Sequence, residues 1–233
     1  MTDTTTDLSE ATASERAAGR TSIVRAVEDA GVVAVIRIKE AAKVSAVVET
    51  LAAGGVRVLE ITMAVPGAIE VIRAVSRALP DGVVLGAGTV LDADTARRVI
   101  DAGARFIVAP TFDPDTIRAC HERDVPAMPG CFSPTEILRA WRLGADIVKV
   151  FPATSLGPGY IKDVRAPLPD IKLMPTGGVT PENAGDWIKA GAVAVGIGSS
   201  LVDAKAVAAG DFRRIEDAAR LLISNVRAAR VAL

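Results

Sequence analysis

Short runs of β-branched and small apolar residues recur along this chain, each followed by a stretch whose apolar positions fall three or four apart. The first pattern is that of a strand covered on both faces, the second that of an amphipathic helix. Val32–Ile38, Val56–Met63, Val83–Val90, Phe106–Thr111, Pro126–Cys131, Asp146–Ala153, Lys172–Gly178 and Ala192–Leu201 are the predicted strands, one to eight. Helices are expected over Glu40–Ala53, from near Pro66, over Asp92–Ala102, from Asp113 and Pro114, over Pro134–Leu143, after Pro158, over Pro181–Ala190 and from about Asp211 to Val231. A further helix, Ser14 to Ala30, precedes the first strand, with Ile23, Val24 and Val27 on one face and Gly31 as its stop. Ahead of it, Met1 to about Ala13 is rich in Thr, Asp and Ser and is expected to be a disordered tail.

Eight strands alternating with eight helices predict an α/β fold, the (β/α)8 or TIM barrel, as a single domain over residues 14–233 with an extra N-terminal helix. A weak internal period agrees. Predicted strands two, four, six and eight are entered through "AAGGV", "DAGAR", "RLGAD" and "KAGAV", where glycine suits the left-handed end of a helix. Strands three, five and seven are entered through "LPDGV", "ERDVP" and "LPDIK", so the repeat is a pair of strand–helix modules. A doubly wound open sheet is the alternative, but the first strand–helix junction lacks its GxGxxG turn.

Composition removes several function classes. Lys+Arg of 27 against Asp+Glu of 28 implies no strongly basic face, so nucleic acid is not an expected partner. No apolar stretch is long enough to span a bilayer, so a membrane is not expected either. Two cysteines, Cys120 and Cys131, without CxxC spacing fit a reducing cytoplasm. Zinc sites need several His or Cys ligands, and the chain has one histidine, His121, read as a solvated helix residue. No metal and no cofactor are expected. Cys131, Trp141 and Trp187 read as packing residues.

The candidate chemistry sits at the C-terminal ends of the predicted strands, where barrels carry their sites. Lys149 lies in the middle of the apolar strand "DIVKVFPA". Burying an ammonium is costly and lowers its pKa, which suits an amine nucleophile; the alternative is a lysine that snorkels or pairs with a core carboxylate. Glu60 shares a strand face with Val58 and Thr62, and Arg37 is an isolated charge ending strand one. Three charges in strands, apart from the surface helices, point to a site; the alternative for Glu60 and Lys149 is a structural salt bridge. Thr89 in "GAGTV", Pro110 in "VAPT", Phe151 and Thr176 fall at the same end. Gly177-Gly178 and Gly198-Ser199 follow strands seven and eight, where backbone N–H groups commonly hold a phosphate; a plain turn is the alternative.

Taken in order, "VAVIR", "GGVRVLEIT", "GAGTVL", "FIVAP", "MPGCFSPTE", "IVKVFPA", "PTGGVTPEN" and "VGIGSSL" resemble the 2-keto-3-deoxy-6-phosphogluconate (KDPG) aldolase family, which includes 4-hydroxy-2-oxoglutarate and 2-keto-3-deoxy-6-phosphogalactonate aldolases. The resemblance covers roughly Gly31 to Phe212. It implies a metal-free class I aldolase and homotrimer, acting on a small keto acid. It matches Lys149 to the Schiff-base lysine and Glu60 to the general acid/base. Arg37, Thr89, Pro110, Phe151 and Thr176 match pocket positions around the pyruvyl group, and Gly177, Gly178, Gly198 and Ser199 match the phosphate loops. One position departs: many members carry arginine four residues after the glutamate, where this chain has Ala64. The expected reaction is cleavage of a 2-keto-3-deoxy-6-phospho sugar acid to pyruvate and glyceraldehyde 3-phosphate. Two other classes stay open: a non-aldolase barrel binding a phosphate ligand, and a catalytically idle or engineered scaffold.

Overall fold

In the computed structural model the described residues are 13–231, with side chains described from Gly19 onward. The expected tail lies outside them, Ala13 excepted. Helix α1 (Ala13–Ala30) ends at Gly31, whose positive φ of 68° turns the chain into the first strand. From there strands and helices alternate: β1 (Val32–Ile36), α2 (Val44–Ala53), β2 (Val58–Thr62), α3 (Ala68–Ser76), β3 (Val84–Gly88), α4 (Ala93–Asp101), β4 (Ile107–Val108) and α5 (Pro114–His121). The second half runs β5 (Ala127–Met128), β6 (Gly130–Cys131), α6 (Pro134–Arg142), β7 (Val148–Val150), α7 (Gly157–Arg165), β8 (Leu173–Pro175), α8 (Ala184–Lys189), β9 (Val195–Ile197), α9 (Ala204–Ala209) and α10 (Phe212–Val231).

Several helix starts are fixed by polar caps. Asp92, Asp113 and Ser133 each accept from the first turn of the helix they precede, and Ser133 forms a reciprocal box with Glu136. Predicted strand five becomes the pair β5 and β6, because Pro129 has no N–H to give the ladder. Helix α9 falls in the stretch between predicted strand eight and the last expected helix, where none was foreseen; Asp203 caps it and Gly210, at φ 73°, ends it.

Every strand pairing is parallel. One sheet has the order β5-β4-β3-β2-β1-β9, the other β6-β7-β8. The sheets meet at both seams. Pro129 alone separates β5 from β6, and beyond β8 Thr176 bridges Gly196 of β9, with the Val193 N–H donating to the Leu173 carbonyl at 3.0 Å. The order is sequential and sets the first strand beside the last, unlike the doubly wound alternative.

Strand parity divides the interior in two. Leu59, Ile61, Leu85, Ile107, Val148, Val150, Leu173, Val195 and Ile197 face the helices in one large apolar layer. The opposite faces contribute Val33, Val58, Val108, Met128 and Met174 to a smaller cluster, joined by Phe106, Ile147 and Ala194 from the strand entrances. Val24 and Val27 of α1 belong to it, so α1 packs on the strands at their N-terminal ends. Polar contacts hold it there: the Arg20 N–H donates to Asp124, and its guanidinium lies 3.4 Å from Asp146. His121 also meets Asp146, at 3.1 Å, so it is a half-buried partner of a carboxylate rather than a solvated helix residue.

Candidate active site

Two residues along from that smaller cluster, the same strand faces turn polar. Val33 gives way to Val35 and then Arg37, Val58 to Glu60 and Thr62, Ile147 to Lys149 and Phe151, Met174 to Thr176. Glycine supplies the room. A Cβ on Gly88 would overlap the Glu60 Oε1, one on Gly196 would overlap the Thr176 hydroxyl, and one on Gly130 would overlap the Pro110 backbone.

Lys149 is 5% exposed and Glu60 1% exposed. Lys149 occupies the centre of β7, between Gly130 and Met174, and its Nζ stands 4.9 Å from the Phe151 ring centroid. Desolvation holds the ammonium below the ordinary lysine range, opposed by the Glu60 charge and assisted by Arg37. Glu60 sits in β2 between Val35 and Gly86, and neither carboxylate oxygen has a hydrogen-bond partner among the described residues. Burial pushes its pKa up against the opposing pull of Lys149 and Arg37. No ion pair within 4.0 Å joins the two among the described residues, so the structural salt bridge is not what holds them. Each is therefore biased toward its neutral form.

A cleft of about 340 Å³ opens beside this pair, lined by Arg37, Phe151, Thr176 and the glycine loops Gly177-Gly178 and Gly198-Ser199. Lys149 and Glu60 are not among its lining residues; Lys149 adjoins it through the Phe151 ring. Thr89 and Pro110 also lie outside it, half-buried just beyond β3 and β4. Thr89 holds a φ of 59°, a conformation β-branched residues rarely adopt, and such strain typically costs about 1–3 kcal/mol.

The glycine loops have structural reasons of their own. Gly177 and Gly178 take φ of 98° and 73°, and Cβ atoms there would stand 2.9 Å from the Thr154 Oγ1 and Cα. Asn183 donates to the Gly178 carbonyl, and the Ser200 hydroxyl donates to the Val179 carbonyl at 2.7 Å, tying the two loops together. The backbone N–H groups of Gly178, Ser199 and Ser200 make no backbone hydrogen bond among the described residues.

Sequence reading missed Val35, Val179, Thr180, Gly196, Ser200 and Val202 in the lining. Gly196 was legible, standing two residues before Gly198 on the same strand face; Thr180 and Ser200 depend on loop paths that periodicity does not encode. Cys131 is buried, with its thiol pushed up to about 12 by desolvation, and Cys120 likewise to about 12, so both behave as small packing groups. Trp187 is buried, and Trp141 packs partly buried on the main core. No group of three His, Cys, Asp or Glu among the described residues could hold a metal ion. No helix there is long and apolar enough to cross a membrane.

A family model described as "KDPG and KHG aldolase" matches residues 23–218. The chain belongs to the KDPG and KHG aldolase family. This aldolase is 38% identical over 157 residues to a probable 2-dehydro-3-deoxy-6-phosphogalactonate aldolase of Rhizobium meliloti (strain 1021), covering 67% of this chain and 74% of that protein. It is 38% identical over 160 residues to the 2-dehydro-3-deoxy-phosphogluconate aldolase of Treponema pallidum (strain Nichols), covering 68% and 76%. Among solved structures it is similar to the KDPG aldolase of Legionella pneumophila with pyruvate captured as a covalent carbinolamine, with a TM-score of 0.79 and 29% identity over 85% of this chain and 97% of that one. Ala64 lies just beyond β2, four residues after Glu60, so no cation stands at that position.

Proposed function

We propose that this chain is a class I aldolase that cleaves a 2-keto-3-deoxy-6-phospho sugar acid, KDPG first, to pyruvate and glyceraldehyde 3-phosphate. The observation that carries the reading is a buried lysine biased toward its free amine in the same interior as a buried, unpartnered carboxyl. The Lys149 amine attacks the C2 ketone, and loss of water leaves a protonated imine. That cation accepts the electron pair of the breaking C3–C4 bond. Glu60, with its raised pKa, serves as both acid and base. It protonates the departing carbinolamine hydroxyl, takes the C4 hydroxyl proton as the bond breaks, and returns a proton to C3 of the enamine. Hydrolysis then frees pyruvate and the amine. Arg37, which has no ion-pair partner among the described residues, faces the substrate carboxylate in the absence of an arginine at Ala64. Thr89, Pro110, Phe151 and Thr176 shape the pyruvyl pocket. Borohydride with pyruvate should add one reduced pyruvyl group on the peptide containing Lys149, as the carbinolamine in the Legionella relative suggests. An unmodified mass would reject the mechanism.

The architecture we infer is a single (β/α)8 barrel of residues 14–233, the two sheets being arcs of one ring joined at Pro129 and at the Thr176–Gly196 bridge, with α1 as an addition at the N-terminal mouth. The phosphate is assigned to Gly177, Gly178, Gly198 and Ser199, whose loops present N–H groups without a backbone partner among the described residues and carry no lysine or arginine of their own. Ser199→Asp should repel the dianion, giving a large loss of kcat/KM for the phosphorylated acid while pyruvate trapping is nearly unchanged. Equal cleavage of phosphorylated and unphosphorylated acids by the unaltered enzyme would show these glycines to be turns and favour a hydroxy-oxoglutarate substrate.

A cytoplasmic homotrimer completes the proposal. Leu91, beyond β3, and Phe132, beyond β6, are 58% and 46% exposed, large apolar residues of the kind a subunit contact covers. Light scattering at micromolar concentration should give three times the chain mass, and a stable monomer would contradict it.

A further inference from the structure

The mechanism leaves one polar side chain of β2 without a part. Thr62 ends that strand and is wholly buried, and among the described residues its Oγ1 has no hydrogen-bond partner. It lies two residues beyond Glu60 and so shares its face. Glu60 is registered with Gly86, yet its side chain climbs along the strand. The space a Gly88 Cβ would need is taken by the Glu60 carboxyl group, with Cδ at 2.7 Å. Gly88 is the register partner of Thr62 itself. The carboxyl thus begins two residues before Thr62 and finishes against the glycine with which Thr62 is registered, at the level of that threonine.

Burying a hydroxyl without a partner is destabilising, and valine would fill the same volume without that cost. Apart from Glu60, the other residues of this strand are Val58, Leu59 and Ile61. A hydroxyl here therefore has value in a state other than the resting one. We propose that Thr62 is a positioning residue, whose hydroxyl donates a hydrogen bond to the Glu60 carboxylate once that group has given up its proton. The threonine keeps its own proton throughout; it orients the base and stabilises its charge between proton transfers. The proposal rests on the aldolase reading, since it assigns Glu60 the proton traffic of that reaction.

The charges bearing on Glu60 are Lys149 from β7 and Arg37 from just beyond β1, and neither changes when Thr62 does. A hydrogen bond to the charged form lowers a carboxyl's pKa, so its removal raises it. Thr62→Val should move the acid limb of pyruvate C3 proton exchange up by about one pH unit, with exchange below that limb falling roughly tenfold. Borohydride trapping of pyruvate on Lys149 should be unchanged, thermal stability equal or higher, and Thr62→Ser should restore the profile. Should Thr62→Val not fold, Thr62→Ala tests the same shift. An unmoved pH profile in a folded hydroxyl-free variant would overturn the proposal, as would a raised KM alone, which would make Thr62 a substrate contact. A wild-type enzyme that traps no pyruvate would overturn the aldolase reading first, and this assignment with it.

Discussion

Replacing Lys149 with Met should abolish both pyruvate trapping and aldol cleavage. The expected loss in kcat is on the order of 10⁵-fold or more, the scale met when a covalent nucleophile is removed. Met fills much the same volume as the lysine stem, so the cluster formed by the Phe151 ring and the apolar neighbours of β7 should survive. The folded variant should be at least as stable as the original, because an ammonium held 5% exposed, with no ion pair among the described residues, is costly to bury. Mass spectrometry after borohydride and a thermal melt check the two halves. Labelling of the variant equal to that of the wild type would move the imine to another amine. The pH dependence has a defined sign: imine formation needs the free amine, so the trapping rate should rise with pH through a value below the ordinary lysine range.

Glu60→Gln should give the second largest effect. It keeps the shape of the side chain but removes the proton carrier, and turnover and pyruvate C3 exchange should fall together by about 10²–10⁴-fold. Stability should move the other way. Burial raises the Glu60 pKa, so the folded chain keeps this proton to higher pH than the unfolded chain does. Between the ordinary carboxylate value and the raised one the native state binds more protons, and stability is lost as pH rises through that window. The Gln variant has no such titration, so its melting temperature should exceed the wild type's above that window and converge with it in acid. Wild-type exchange in this variant would place the acid/base role elsewhere.

Both residues were legible before the fold because each breaks a strong local pattern. A lysine inside "IVKVF" and a glutamate inside "VLEIT" contradict the β-branched strands that hold them. Such conflicts between local preference and residue choice are where functional groups tend to show. The glycine loops were legible for a related reason, since positive φ at Gly177 and Gly178 restricts what can stand there. Their packing against Thr154 was not, because that contact joins loops from separate strands. His121 misled for the same reason: its carboxylate partner, Asp146, lies 25 residues away and enters only when β5 and β7 come together.

The sequence by itself determined the alternation of strands and helices, the glycines that stop several helices, the residues that break the apolar pattern and, through their ordered motifs, the family. These are properties of nearest neighbours and of periods of two and 3.6, which the chain carries locally. Only the tertiary structure decided that β1 lies beside β9, that Pro129 divides one expected strand in two, and that α1 packs beneath the site. It alone decided, too, that the Glu60 carboxyl rises to the level of Thr62 against Gly88. Those facts depend on register and on which backbones approach closely. Register is fixed by the packing of whole strand faces, so no single stretch of residues contains it.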